Sequence, residues 1–167
     1  KCRSKLLKED LFEECKFPVI RGFDEQKTIA FVGDSHAESL LLASEMLSEE
    51  GIRTIHYTYR GCPFPLTPFG TNPPKCSEFL AKAEGHIFKD LRNGDSIVIY
   101  NYHLSHLGGN DLKYVRHNIF QKSGLLTSDP SKKIKLYLEG LKTFSNKAAE
   151  KGVTTFLIGS TYRNLDL

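Results

Sequence analysis

The chain has 167 residues, 40% hydrophobic and 26% charged, which suits one globular domain with a buried core. Its formal net charge of +3 is too small to argue for nucleic acid or an anionic membrane surface as a partner. No apolar run approaches the roughly 18 residues that a membrane-spanning helix needs.

In chain order, residues 1–26 are polar and irregular, and they read as a lead-in segment ahead of an α/β domain over 27–167. Lys1 to Asp10 have no signal-peptide pattern, so the start reads as that of a mature or excised segment. Lys27 to Gly33 is a short apolar run ending in glycine, as a buried strand would. Apolar residues at helical spacing from Ala37 to Glu50 predict a helix, stopped by Gly51. Ile52 to Tyr59 reads as a second strand, and a Pro- and Gly-rich loop runs from Arg60 to Lys75. A helix over Cys76–Arg92 and a third strand over Ser96–Tyr100 follow. After a long excursion over 103–131 come a helix from Ile134 to Lys151, ended by Gly152, and a fourth strand over Val153–Gly159. Alternating strands and helices predict an α/β fold, a three-layer α/β/α sandwich with a mostly parallel, flavodoxin-like sheet.

Cys2, Cys15, Cys62 and Cys76 form two local pairs without the C-x-x-C spacing of a zinc site. Two short disulfides, Cys2–Cys15 and Cys62–Cys76, are expected, each worth roughly 3 kcal/mol by the loop-entropy model. They favour an oxidising, extracytoplasmic compartment, against the alternative of four free thiols in the cytosol.

Ligands of parallel sheets collect at the carboxyl ends of the strands. That rule directs attention to Gly33–His36, Gly61–Cys62, Tyr100–His103 and Gly159–Thr161. The strongest signal is Gly33-Asp34-Ser35-His36, where a strand turns through glycine into a helix. A serine there exposes its hydroxyl beside unpaired main-chain amides, which suits acyl transfer through a negative oxygen. The competing use is capping, in which Asp34 or Ser35 merely satisfies the first helical amides. The phosphate-loop pattern and the G-x-S-x-G elbow are both absent.

Gly33-Asp34-Ser35-His36-Ala37 after the first strand resembles the first signature of the SGNH (GDSL-like) hydrolases. The histidine after the serine, the Cys2 and Cys15 pair before the strand, and Gly61-Cys62-Pro63-Phe64 after the second strand are similar to SGNH domains fused behind acyltransferase family 3 membrane domains. The resemblance implies Ser35 as nucleophile with its own amide as one oxyanion donor, Gly61 as a second, and an asparagine as a third. Asn101 at the third strand's end and Asn110 in Gly108-Gly109-Asn110-Asp111 compete for that last role, with Asn101 favoured by position. Asp34 and His36 are supporting residues of the motif.

Such enzymes take the serine proton with a histidine from a C-terminal D-x-x-H, and no D-x-x-H occurs in this chain. The expected explanation is truncation before the acid–base pair. His103 and His106 lie near the active edge, and their plain reading is as loop residues. The implied function is serine-dependent O-acyltransferase or esterase chemistry on an extracytoplasmic glycan, without metal or dissociable cofactor. The expected partners are a glycan acceptor and an acyl donor, with a membrane acyltransferase domain in the same full-length chain tethering this one. Two alternatives stand beside it: a non-catalytic glycan-binding or partner-docking module that has lost its Asp–His pair, and an unrelated α/β binding domain.

Overall fold

The computed structural model describes residues 15–19, 27–65, 70–71, 74–102, 107, 119–120, 126–127 and 129–159. Five strands form one sheet in the order β1-β3-β2-β5-β8. These are β1 (Cys15–Phe17), β2 (Thr28–Gly33), β3 (Arg53–Thr58), β5 (Ser96–Tyr100) and β8 (Thr154–Ile158). The last four are parallel to one another, and β1 pairs antiparallel with β3, from Cys15 opposite His56 to Phe17 opposite Thr54. Two-residue strands β4 (Gly70–Thr71), β6 (Ile119–Phe120) and β7 (Leu126–Thr127) make a separate antiparallel sheet.

The helices follow the expected alternation: α1 (Ser35–Glu38), α2 (Leu41–Glu49), α3 (Pro74–Asp90) and α4 (Pro130–Glu150). The buried residues Leu136, Tyr137, Gly140, Phe144 and Ala148 of α4 recur at three- and four-residue spacing, which is one helical face. That face and Phe79, Leu80, Ala83 and Ile87 of α3 cover Ala30, Val32, Ile55, Tyr57, Ile97 and Ile99 of the sheet, forming the main core. An ion pair from Lys147 to Glu84 (2.6 Å) places α3 and α4 side by side on that face. The other face carries α2, against β1 and β3. The chain is therefore a three-layer α/β fold with a mostly parallel sheet. No helix among the described residues is long and apolar enough to cross a membrane.

Several boundaries differ from the sequence expectation, each for a local reason. The single helix expected from Ala37 to Glu50 is two, interrupted at Ser39 and Leu40. There the Ser39 hydroxyl donates to the His36 carbonyl (2.6 Å), giving the backbone an alternative to helical pairing. The last helix starts at Pro130, one turn before Ile134, because Asp129 caps it by accepting from the Ser131 and Lys132 amides. Strand β1 lies inside the lead-in segment and contributes an edge to the main sheet. The Cys62–Cys76 disulfide is present, joining the loop after β3 to α3. Cys2, and with it the expected Cys2–Cys15 bond, lies outside the described residues.

Under α2 the sheet is more polar. His56 is 1% exposed, stacked on Phe31 at 4.9 Å and edge-on to Phe17 at 5.8 Å. Its Nε2 meets the Ser44 hydroxyl at 2.5 Å, while Nδ1 is buried without a hydrogen-bond partner. Burial away from water lowers its pKa from 6.5 to about 4, so the ring is neutral at pH 7. A depressed histidine pKa means that the unfolded chain binds the proton more readily. This stabilising contribution is full above pH 6.5 and is lost as pH falls towards 4. Urea unfolding should therefore show a histidine-dependent loss of about 2–3 kcal/mol between pH 7.5 and 4.5. His56→Gln should remove that part of the slope; an unchanged slope would show that His56 is not its source.

Candidate functional site

The parallel strands lie in the order β3-β2-β5-β8, so successive strands are added first on one side of β2 and then on the other, and ligands of such sheets collect at the carboxyl ends beside such a point. Gly33, the last residue of β2, pairs with Tyr100, the last of β5. Its φ is +148°, and a Cβ there would run into the Tyr100 carbonyl and lie 2.9 Å from Asn101 Oδ1. Only glycine lets the two strand ends approach so closely.

Asp34 follows in extended conformation as the cap of α1. Its Oδ1 accepts from the His36 amide (2.8 Å) and its Oδ2 from the Tyr102 amide (2.8 Å). The carboxylate is 1% exposed, so both bonds are shielded from water. Capping is thus the task of Asp34. Ser35 is exposed, and its hydroxyl makes no hydrogen bond with a described residue. The His36 ring stacks on Tyr102 (4.6 Å between centroids, 12° between planes) and meets Tyr100 edge-on (5.5 Å).

The turn after β3 borders the same place. The Tyr59 amide donates to the Gly33 carbonyl (3.0 Å), and Arg60 Nε to Glu38 of α1 (3.0 Å). Gly61 adopts φ +75°, the left-handed region that favours glycine. Its amide makes no hydrogen bond with a described residue, while its carbonyl faces the Cys76 sulfur. The disulfide at the next residue pins this turn to the start of α3.

Asn101 sits at the end of β5, and its carboxamide is engaged with the loop after β3 and with α4. Oδ1 accepts from the Phe64 amide (3.1 Å), and Nδ2 donates to the Phe64 carbonyl (2.6 Å) and the Tyr137 hydroxyl (3.1 Å). Both amide protons are used, and the residue is fully buried. Through these bonds Asn101 braces the loop that carries Gly61. Burial raises the Tyr137 pKa above the ordinary phenol range, with the nearby Asp34 charge adding to this, so its hydroxyl stays a donor. Asn110, His103, His106 and Thr161 lie outside the described residues.

Tyr102 and Tyr137 were not singled out from sequence. A tyrosine two residues past a strand, and another on the apolar face of a helix, carry no signal separating them from ordinary packing. Lys133 is a further surprise, fully buried one turn before Tyr137, where burial lowers its pKa. None of the described histidines is placed to take the Ser35 proton. His56 is enclosed with Ser44, His86 is on the half of α3 that leads back to the amino edge of the sheet, and His36 is turned into its aromatic contacts. No cluster of metal-ligating side chains occurs among the described residues.

Because cap and exposed hydroxyl are different residues, their substitutions should separate. Ser35→Ala should change unfolding free energy by less than about 1 kcal/mol. Asp34→Ala, which strands two amides, should cost about 2 kcal/mol or more. Chemical denaturation of both variants is the check, and equal losses would return the cap to Ser35.

Comparisons with curated proteins and with solved structures give no match. A family model does match, over residues 1–164, which is nearly the whole chain. This match shows that the chain, with its mostly parallel sheet, belongs to the family described as SGNH domain (fused to AT3 domains).

Proposed function

We propose that the domain performs serine-dependent O-acyl transfer, or hydrolysis of an O-acyl ester, on an extracytoplasmic glycan, with Ser35 as the nucleophile. The observation that carries this reading is the exposed Ser35 at the carboxyl edge of the sheet, relieved of capping by Asp34. Membership of the SGNH family supports ester chemistry, and fusion of such domains to AT3 domains supports a membrane acyltransferase as partner within the full-length protein. The Cys62–Cys76 disulfide fits an oxidising compartment.

In this mechanism the Ser35 oxygen attacks the acyl carbonyl while its proton passes to a histidine base outside the described residues. The amides of Ser35 and Gly61 stabilise the oxyanion of the tetrahedral intermediate. Collapse expels the donor's leaving group, which takes the proton from that histidine, and leaves an acyl-serine. A sugar hydroxyl, or water, then attacks that ester and gives its proton to the histidine, which passes it to the Ser35 oxygen as the acyl–serine bond breaks. Asn110 is the remaining candidate for a third oxyanion donor.

The engagement of Asn101 favours a second reading, a glycan-binding or docking module without turnover. One experiment separates the two. The full-length protein is mixed with an activated acetyl ester and the Ser35 peptide is followed by mass spectrometry. An acetylated Ser35 and a loss of at least about a hundredfold in turnover in Ser35→Ala are expected. Unmodified Ser35, with turnover retained in the alanine variant, would overturn the nucleophile assignment.

A further inference from the structure

Helix α1 has only four residues, too few to hold its own shape by internal hydrogen bonding. Its shape must come from neighbours, and His36 carries much of that contact. The flat imidazole lies on Tyr102 with planes 12° apart, and Tyr100 closes on it edge-first. By contrast, its Nδ1 is buried with no hydrogen bond. The nearest carboxylate oxygen, Asp34 Oδ1, stands 3.4 Å away and already accepts from the His36 amide. The ring is therefore held by its face and edge, and not through that nitrogen. Asp34 joins the same two segments through main-chain atoms, accepting from His36 N and Tyr102 N. Carboxylate and ring stack thus form two layers of one clamp between the nucleophile turn and the chain leaving β5. Adjacent side chains of a helix diverge by about 100°, so His36 is poorly placed to act on the Ser35 proton itself.

We propose that His36 is a positioning residue: its ring, stacked on Tyr102, locks the Ser35 turn to the segment that leaves β5 and holds the hydroxyl at its angle of attack. This rests on Ser35 being the nucleophile. It also gives the histidine after the serine a role that needs a flat ring and no proton chemistry.

The test uses the full-length protein carrying His36→Ala, His36→Phe, Tyr102→Ala or the double alanine change. Two readouts are taken: the rate at which a fluorophosphonate probe labels Ser35, located by peptide mass, and kcat and KM for an activated acetyl ester. His36→Ala and Tyr102→Ala should each slow labelling and lower kcat by about tenfold or more, with KM changed less than about twofold. The double variant should be no slower than the slower single one, because both remove one contact. His36→Phe, which keeps a flat ring, should stay within about threefold of the parent. A phenylalanine variant as slow as the alanine variant would overturn the proposal in favour of nitrogen chemistry. Additive losses, or an unaffected His36→Ala, would overturn it as well. Parent protein labelled at Ser35 with indifferent variants sinks only the positioning role; parent protein that takes no label at Ser35 sinks the nucleophile reading and this proposal with it.

Discussion

The buried carboxylate of Asp34 accepts one main-chain amide from α1 and another from the chain beyond β5, and the site depends on that double acceptance. A charge removed from water is costly unless its oxygens are hydrogen-bonded, so the carboxylate constrains both segments at once. It also relieves Ser35 of the capping task that a serine in such a turn could otherwise take. Asp95 plays the corresponding part at the opposite edge of the sheet. There its oxygens accept from the Thr28 amide (2.8 Å) and the Arg92 amide (2.9 Å), tying the start of β2 to the turn before β5. The two central strands are thus clasped by an aspartate at each end.

A second device acts on the loop side. Asn101, Tyr137 and the Phe64 backbone form a closed hydrogen-bonded triangle in which α4, the end of β5 and the loop after β3 meet. Removing any partner would leave buried polar groups unpaired, which is why such networks specify one arrangement. Phe64 anchors the same loop from below by packing edge-on against Phe144 of α4. The position of Gly61 is thereby an outcome of core packing as much as of its own turn. The sheet is less uniformly covered towards β8, where Phe156 (53% exposed) and Ile158 (36%) share a face, by register, with Val98 and Tyr100.

Much of this was legible in the sequence because it rests on local rules. Of the four parallel strands, β2, β5 and β8 carry short apolar runs and β3 an alternating stretch, and Ser96–Tyr100 falls where the sequence places it. Gly33-Asp34-Ser35 announced a strand-to-helix turn, and the turn is there. What was not legible depends on direction and distance. Position at a strand end located Asn101 correctly but could not say that its amide turns towards Phe64, since that is decided by Tyr137, thirty-six residues away. The Ser39 interruption needed knowledge of which carbonyl its hydroxyl would choose. Strand β1 is three residues of unremarkable sequence, and it becomes a strand because the edge of β3 offers it partners. The sequence left capping divided between Asp34 and Ser35, and the Tyr102 amide, distant in sequence, draws the Asp34 carboxylate into that place.

The close approach at Gly33 bears on how a domain of this kind can diversify. The turn that carries Ser35 is referenced to the neighbouring strand end through a carbonyl, an amide and the absence of a Cβ, features that most side-chain exchanges elsewhere leave untouched. Loops elsewhere at this edge can therefore be rewritten at length without displacing the Ser35 turn. Those loops are open to drift, while the glycine itself is a fixed point that cannot be traded for even one methyl group.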